Sequence, residues 1–348
     1  MSLPYSKYLS INKLSSVFAN TSATYKFYWF LAILELVEEG STYIDKRRIL
    51  SRMISNSWYT VNYFHISFGK QDLIQDAVKA ILKIEDLKIN ENRSVINSVL
   101  ENTQKIETLK LLNHFDKNVP HWFISSWFSG NRNEIYSLSQ NFDHGCIYRL
   151  EKDSIEINPM WISYLKLNSK ILKDFCYWNL SLFLQKRNPN VPDIPNKISK
   201  SLVRNSLMKQ TNEYWKLVFN ELGAIDCVFT NNRLLFDEKK YALDHFVPHA
   251  FVSHDLIWNL IPIDKNFNSL KSDKLPSLDR YFDKFYTLQK TAYEIVKSHN
   301  SKNKYLEEYL SIFPDLDGNS GLDYLRYKET IQPLITIASN NGFSYMKD

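Results

Sequence analysis

Tyr241 to Pro276 reads YALDHFVPHAFVSHDLIWNLIPIDKNFNSLKSDKLP, and the fold of the chain's most informative region turns on how this stretch divides. Asp244-His245 ends a short strand with Leu243 as its apolar neighbour, and Pro248, which lacks a ladder donor, closes it. An irregular stretch follows through Asp255. Asn259 opens a second apolar run, Leu260-Ile261-Pro262-Ile263, and Asn268 falls at the start of a short polar helix containing Lys271, Ser272 and Asp273. Two strands and a helix in this order can bring Asp244, His245, Asn259 and Asn268 to one point although they are far apart in sequence.

Those residue types suit phosphodiester hydrolysis, which needs a nucleophilic water, a neutralised phosphate and a stabilised leaving oxygen. An imidazole titrates near neutral pH, so His245 can take a proton from water. Asp244 and Asn268 offer oxygen ligands suited to Mg²⁺, a hard cation that keeps several of its waters and acts as a Lewis acid on a phosphate. Asn259 can hold the His245 ring, or its loop, in place by hydrogen bonding.

The segment resembles the HNH, or ββα-metal, nuclease domain. It is similar to the HNH domain of RNA-guided CRISPR effectors in its DH-x-x-P start and its closing N-x-x-K-S-D. The resemblance implies that Asp244 and Asn268 are metal ligands, His245 the general base and Asn259 the residue that orients it. It also implies a single Mg²⁺ or Mn²⁺ and products with 5′-phosphate and 3′-hydroxyl ends. Asn268 replaces histidine at the third signature position. Cys227 stands where a first zinc-knuckle cysteine would, but no second follows, so no structural zinc is expected. More loosely, Tyr25-Lys-Phe-Tyr-Trp-Phe-Leu-Ala and Ser67-Phe-Gly-Lys-Gln-Asp72 resemble passages of bacterial HNH proteins of restriction or phage defence.

Outward from this segment, the chain reads as mainly α with a small α+β core. Gly is scarce (8) while Phe and Tyr are abundant (21 each), which favours long packed elements over flexible loops. Hydrophobic spacing predicts a buried helix over Tyr25–Val37, an amphipathic one over Ile74–Leu87 and further helix over Trp161–Leu184. A break is expected at Asn118-Val119-Pro120 and a small hairpin between Cys146 and Ile157. Three prolines at intervals of three (Pro189, Pro192, Pro195) mark the expected domain boundary. Asn196–Leu222 then reads as one basic helix stopped by Gly223. The expected organisation is a helical region over 1–187, a linker and basic helix over 188–223, the ββα core over 224–276 and a helical cap over 277–348.

The formal charge is only +5, but Leu184–Lys216 carries seven cations against Asp193 and Glu213, so this strip accounts for the whole excess. Phosphate contacts supply most affinity for nucleic acid. Lys200 and Arg204 in the strip, with Lys271 and Lys274 beside the proposed metal site, are therefore the expected nucleic-acid contacts. The competing reading for each is a solvated helix face. His249 and His254 could lend a ligand or a proton, though loop packing is the commoner role of such residues. The Trp122–Phe128 cluster could stack bases but reads better as core. Asp315–Asn319 resembles a calcium loop without its sharp-turn glycine or its closing glutamate, and reads as a turn.

Three cysteines without a CxxC pair suit a reducing compartment. With no apolar run long enough to span a bilayer, a cytoplasmic protein without a membrane partner is expected. These observations converge on a metal-dependent endonuclease, acting on DNA rather than RNA by family preference alone. The N-terminal region is left to recognise a target, dock an activating partner or control the reaction. The rival is a catalytically inactive HNH shell that binds nucleic acid or another protein.

Overall fold

A helix whose every side is apolar belongs at the centre of its domain, and Tyr25–Glu38 (α1) is such a helix: Phe27 through Leu34 are all buried, as are Leu36 and Val37. The computed structural model describes residues 3–199, 206–237, 240–316 and 321–347. Lys200, Arg204 and the Asp317–Asn319 part of the expected turn lie outside these. The chain divides into two compact units, Met1–Pro189 with Ile194–Leu202, and Asn190–Asp193 with Val203–Asp348. It is mostly helical with small sheets. Among the described residues no helix is long and apolar enough to cross a membrane.

In the first unit α1 packs against Lys46–Asn62 (α2), Ile106–Phe123 (α4), Pro159–Leu167 (α5) and Ser169–Gln185 (α6), while the amphipathic Leu73–Ile84 (α3) lies on α2. A three-stranded antiparallel sheet, ordered β1-β3-β2, joins Tyr43–Asp45 (β1) to the hairpin of Tyr148–Leu150 (β2) and Ser154–Ile157 (β3). The expected break at Asn118-Val119-Pro120 is absent: Pro120 lies inside α4. Leu112, Phe115, Val119 and Phe123 continue one buried face through it, and that burial outweighs the roughly 3 kcal/mol cost of an interior proline. The Pro120 carbonyl accepts the Tyr148 hydroxyl at 2.6 Å. Phe123, Trp127 and Phe128 of the aromatic cluster are buried core, whereas Trp122 is half exposed.

Asp72 caps α3 and ties it to the start of α1, accepting from the Ile74 amide at 3.1 Å and the Thr24 amide at 2.6 Å. Burial raises its carboxyl to about 6, against the opposing pull of those amides and of Arg187. Because the folded value lies above the ordinary 3.8, this group's contribution to stability is greatest below 3.8 and is lost as pH rises through 6. Asp72→Asn cannot titrate. The stability difference between wild type and Asp72→Asn should therefore move against wild type by up to about 3 kcal/mol between pH 4 and pH 7. Chemical denaturation followed by tryptophan fluorescence checks this, since six of the eight tryptophans lie in this unit. A pH-independent difference would refute it.

In the second unit a short hairpin, Ile225–Asp226 (β4) with Arg233–Leu234 (β5), precedes the antiparallel pair Tyr241–His245 (β6) and Leu260–Asp264 (β7). The register sets Asp244 opposite Ile261 and His245 opposite Leu260. Lys265–Lys271 (α9) follows β7 directly, completing a ββα arrangement. Leu278–His299 (α10), Lys304–Glu308 (α11) and Tyr324–Asn340 (α12) form the C-terminal helices. Stacked aromatic rings from Phe229, Phe246, Phe267 and Phe285 fill the space between the hairpins, α9 and α10.

The single basic helix expected over Asn196–Leu222 is not formed. One helix ends at Ser199, Ser206 and Leu207 are not helical, and helix resumes at Met208, passing through a π-helical turn at Thr211–Trp215 into Lys216–Leu222 (α7). Lys197 is buried, the Arg187 guanidinium lies 3.6 Å from the Phe183 ring centroid, and Lys209 and Lys216 belong to the other unit.

Candidate functional site

Asp244 and His245, adjacent at the end of β6, have separate side-chain partners. On the Asp244 side the partner is Lys271, the last residue of α9. Its ammonium donates to Asp244 Oδ2 at 2.7 Å and to the His245 carbonyl at 2.8 Å, with the Phe229 ring centroid 5.9 Å away. The Lys271 side chain is entirely buried. The surface lysine expected to meet a phosphate backbone is thus an interior counter-charge. Lys274, by contrast, remains half-buried, its ammonium on the Leu270 carbonyl.

The helix that carries Lys271 starts where it does because Asp264 caps it. Oδ1 accepts the Asn266 and Phe267 amides, and Oδ2 accepts the Asn232 side-chain amide at 3.0 Å. These bonds, Asn232 first, hold the Asp264 carboxyl below its ordinary value. Asn268 precedes Lys271 by three positions, so it shares the helix face that turns toward Asp244. It is half-buried, and its side chain hydrogen-bonds to none of the described residues. Cys227 accepts the Asp264 amide at 3.3 Å from the preceding hairpin.

His245 is almost fully buried, and its Nε2 lies 3.0 Å from Asp255 Oδ1 and 3.1 Å from the His254 carbonyl. Both partners are acceptors, so Nε2 carries the proton. In the neutral form of the ring the lone pair is then on Nδ1, which makes no hydrogen bond with any described residue. The chain returns to His245 through a short helix, His249–Val252 (α8), ended by Ser253 at φ +59°, a left-handed conformation that reverses direction within one residue.

The flanks of this loop are held firmly. Asn259, completely buried, accepts the Val247 amide at 2.8 Å and donates to the Val247 carbonyl at 2.9 Å, fixing the chain two residues beyond His245. Of the two readings of Asn259, holding the ring or holding the loop, the geometry takes the second. Glu308 of α11 accepts the Ile257 amide at 2.5 Å. Burial raises the Glu308 carboxyl, the Ile257 bond opposes this, and the neighbouring Asp255 charge adds to the rise. Gln289 of α10 donates to the Ile257 and Leu260 carbonyls and is itself fixed by the Tyr309 hydroxyl, while the Tyr327 hydroxyl donates to the Trp258 carbonyl. The C-terminal helices thus clamp the strand that faces the Asp-His pair.

Residues 227–277 match the family described as HNH endonuclease. The chain contains an HNH domain. No curated protein and no solved structure matches the chain. The HNH match begins just after β4, covers β5, the β6–β7 pair and α9, the elements that place Asp244, His245, Asn259 and Asn268, and ends just before α10. The oxygen donors of the HNH domain suit a hard divalent cation: a carboxylate with one oxygen left over from its bond to Lys271, and a half-buried amide on the facing helix surface. A second donor set, His245 with His249 and Asp255, is richer in nitrogen, its ligand atoms lying within 4.8 Å of one another.

Asp255 is the member of this region that sequence reading passed over, treating it only as the end of an irregular stretch. The signal was a second Asp-His pairing in reverse order, His254-Asp255, ten residues after Asp244-His245. A short loop closing on itself brings the two pairs together.

Proposed function

We propose that the HNH domain is a divalent-metal-dependent endonuclease that hydrolyses phosphodiester bonds, with DNA as its substrate. The observation that carries this reading is the His245 ring, whose protonated Nε2 is held by Asp255 and the His254 carbonyl beside the Asp244 carboxylate. Asp244 and Asn268 would hold one Mg²⁺ or Mn²⁺ through oxygen, waters completing the shell. When bound, the ion supplies Lewis acidity at the phosphate and neutralises the departing oxygen. His245 Nδ1 takes the proton from the attacking water, and Asp255 stabilises the imidazolium that results. Asn259 keeps the strand end that bears His245 from shifting as that charge appears. The first unit is left to select the target or sense a trigger, and its resemblance to restriction and phage-defence proteins suggests defence as the setting.

One observation favours the rival, a non-catalytic shell: the Lys271 ammonium already sits on Asp244. Supercoiled-plasmid nicking with Mg²⁺, Mn²⁺ or EDTA separates the two. The nuclease reading expects nicking with either metal, none in EDTA, and 5′-phosphate ends. Nicking that persists in EDTA, or none on DNA with any metal, overturns it. Asp255→Asn keeps an acceptor for Nε2 but removes the charge, and should lower kcat by about 10- to 100-fold with KM little changed. An unaltered kcat would remove Asp255 from the mechanism.

A further inference from the structure

Three side chains from an eleven-residue stretch, the proposed base among them, converge on one point. His245 Nε2 lies 3.0 Å from Asp255 Oδ1, and His249 Nε2 lies 3.8 Å from the same oxygen. Tetrahedral zinc, with bonds of about 2.0 Å to nitrogen or oxygen, spaces its ligand atoms by about 3.3 Å. These two separations bracket that value, and the ligand atoms of all three residues lie within 4.8 Å of one another. The His254 carbonyl, 3.1 Å from His245 Nε2, offers a fourth donor. Two imidazoles and one carboxylate suit Zn²⁺, Co²⁺ or Ni²⁺, whereas Mg²⁺ seeks oxygen. The loop is also fixed on both sides, by the Asn259–Val247 pair and by Glu308 on the Ile257 amide. Little ordering is left for an ion to impose.

We infer that His245, His249 and Asp255 form a transition-metal site, separate from Asp244 and Asn268, whose occupation by Zn²⁺ switches the nuclease off. The inhibitory half rests on the reading of His245 as the base. Without the ion, Nε2 carries the proton and Nδ1 the lone pair. Zn²⁺ binds through the Nε2 lone pair, so the Nε2 proton leaves to solvent and the neutral ring takes one on Nδ1. The ring's charge and proton count are unchanged, but Nδ1–H cannot accept a proton from water. Because the ion blocks the base and leaves Asp244 and Asn268 alone, excess Mg²⁺ does not relieve the inhibition.

The test titrates the full chain, in excess Mg²⁺, with Co²⁺ as a visible-absorbing probe and Zn²⁺ as its competitor. One equivalent of Co²⁺ should give the intense absorption of a tetrahedral site, bleached by Zn²⁺. His249→Ala should abolish the signal and Asn268→Ala should keep it, with circular dichroism verifying both folds; His249→Gln or Asn268→Ser replaces whichever of the two fails to fold. In plasmid nicking, Zn²⁺ should inhibit wild type, and His249→Ala should retain the Mg²⁺-supported rate while needing at least about tenfold more Zn²⁺ for the same inhibition. A weak octahedral spectrum, a spectrum unaffected by His249→Ala, or one lost in Asn268→Ala overturns the site. Inhibition reversed by added Mg²⁺ overturns the mechanism of switching. If no nicking occurs under any condition, the nuclease reading fails and the switching role with it, while the absorption experiment still decides the metal site.

Discussion

His245→Ala is expected to lower metal-dependent cleavage by roughly 10²- to 10⁴-fold, the span that a positioned general base contributes. Single-turnover nicking of plasmid under saturating Mg²⁺ measures it directly. The loss should fall on the chemical step, since His245 is nearly fully buried and its ring makes no ion pair available to a phosphate backbone; binding of DNA to the variant should change little. Alanine also removes the His245 donor from Asp255 and from the His254 carbonyl, each such loss costing up to about 1–3 kcal/mol, so folding must be followed in parallel. His245→Asn is the useful companion, because its side-chain amide can still donate to those acceptors while offering no nitrogen lone pair. The proposed mechanism requires both variants to be equally inactive although their stabilities differ. Cleavage by either at the wild-type rate would exclude His245 as the base.

Much of this region is legible in the sequence because its determinants are local. The apolar runs flanking Asp244-His245 and Leu260–Ile263 produce paired strands, and Asp264 at a cap position starts the helix that carries Asn268. Tyr25–Glu38, apolar on all sides, can only be central. What escapes is set by contacts distant in sequence. Pro120 stays helical because its neighbours are buried by other elements. The run after Asn196 breaks although its composition suits a helix, because Lys197 is drawn into one unit while Lys209 and Lys216 belong to the other. Lys271 follows the same rule. A lysine on a short polar helix reads as solvated, and only the proximity of a carboxylate 27 residues earlier makes its burial tolerable. Asp255 is passed over for a related reason: the reversed His254-Asp255 pair gains its meaning only through a loop geometry that a left-handed Ser253 creates.

Lys271→Met should destabilise the second unit by about 3–5 kcal/mol, the range found when one partner of a buried ion pair is removed. Methionine fills nearly the same volume, so the loss is electrostatic: Asp244, 8% exposed, keeps its charge with no counter-charge, and the His245 carbonyl loses its donor. Asp244→Asn in the same chain should recover most of the loss, giving a coupling energy well above the few tenths of a kcal/mol by which independent sites depart from additivity. If Lys271→Met costs the same in wild type as in a chain already carrying Asp244→Asn, packing alone is at stake. The same variant also tests the metal assignment. If Asp244 is a ligand for Mg²⁺, the ion can replace the missing ammonium and should stabilise Lys271→Met more than wild type, because binding to the folded state alone raises its stability by RT ln(1 + c/Kd), where c is the free Mg²⁺ concentration, and Kd falls when the competing ammonium is gone. Thermal unfolding with and without millimolar Mg²⁺ measures the difference, and Asn268→Ala should reduce it. A Tm shift equal in wild type and Lys271→Met would mean that Mg²⁺ and Lys271 do not meet at Asp244. The ammonium would then be a fixed part of the fold, with the cation bound elsewhere in the HNH domain.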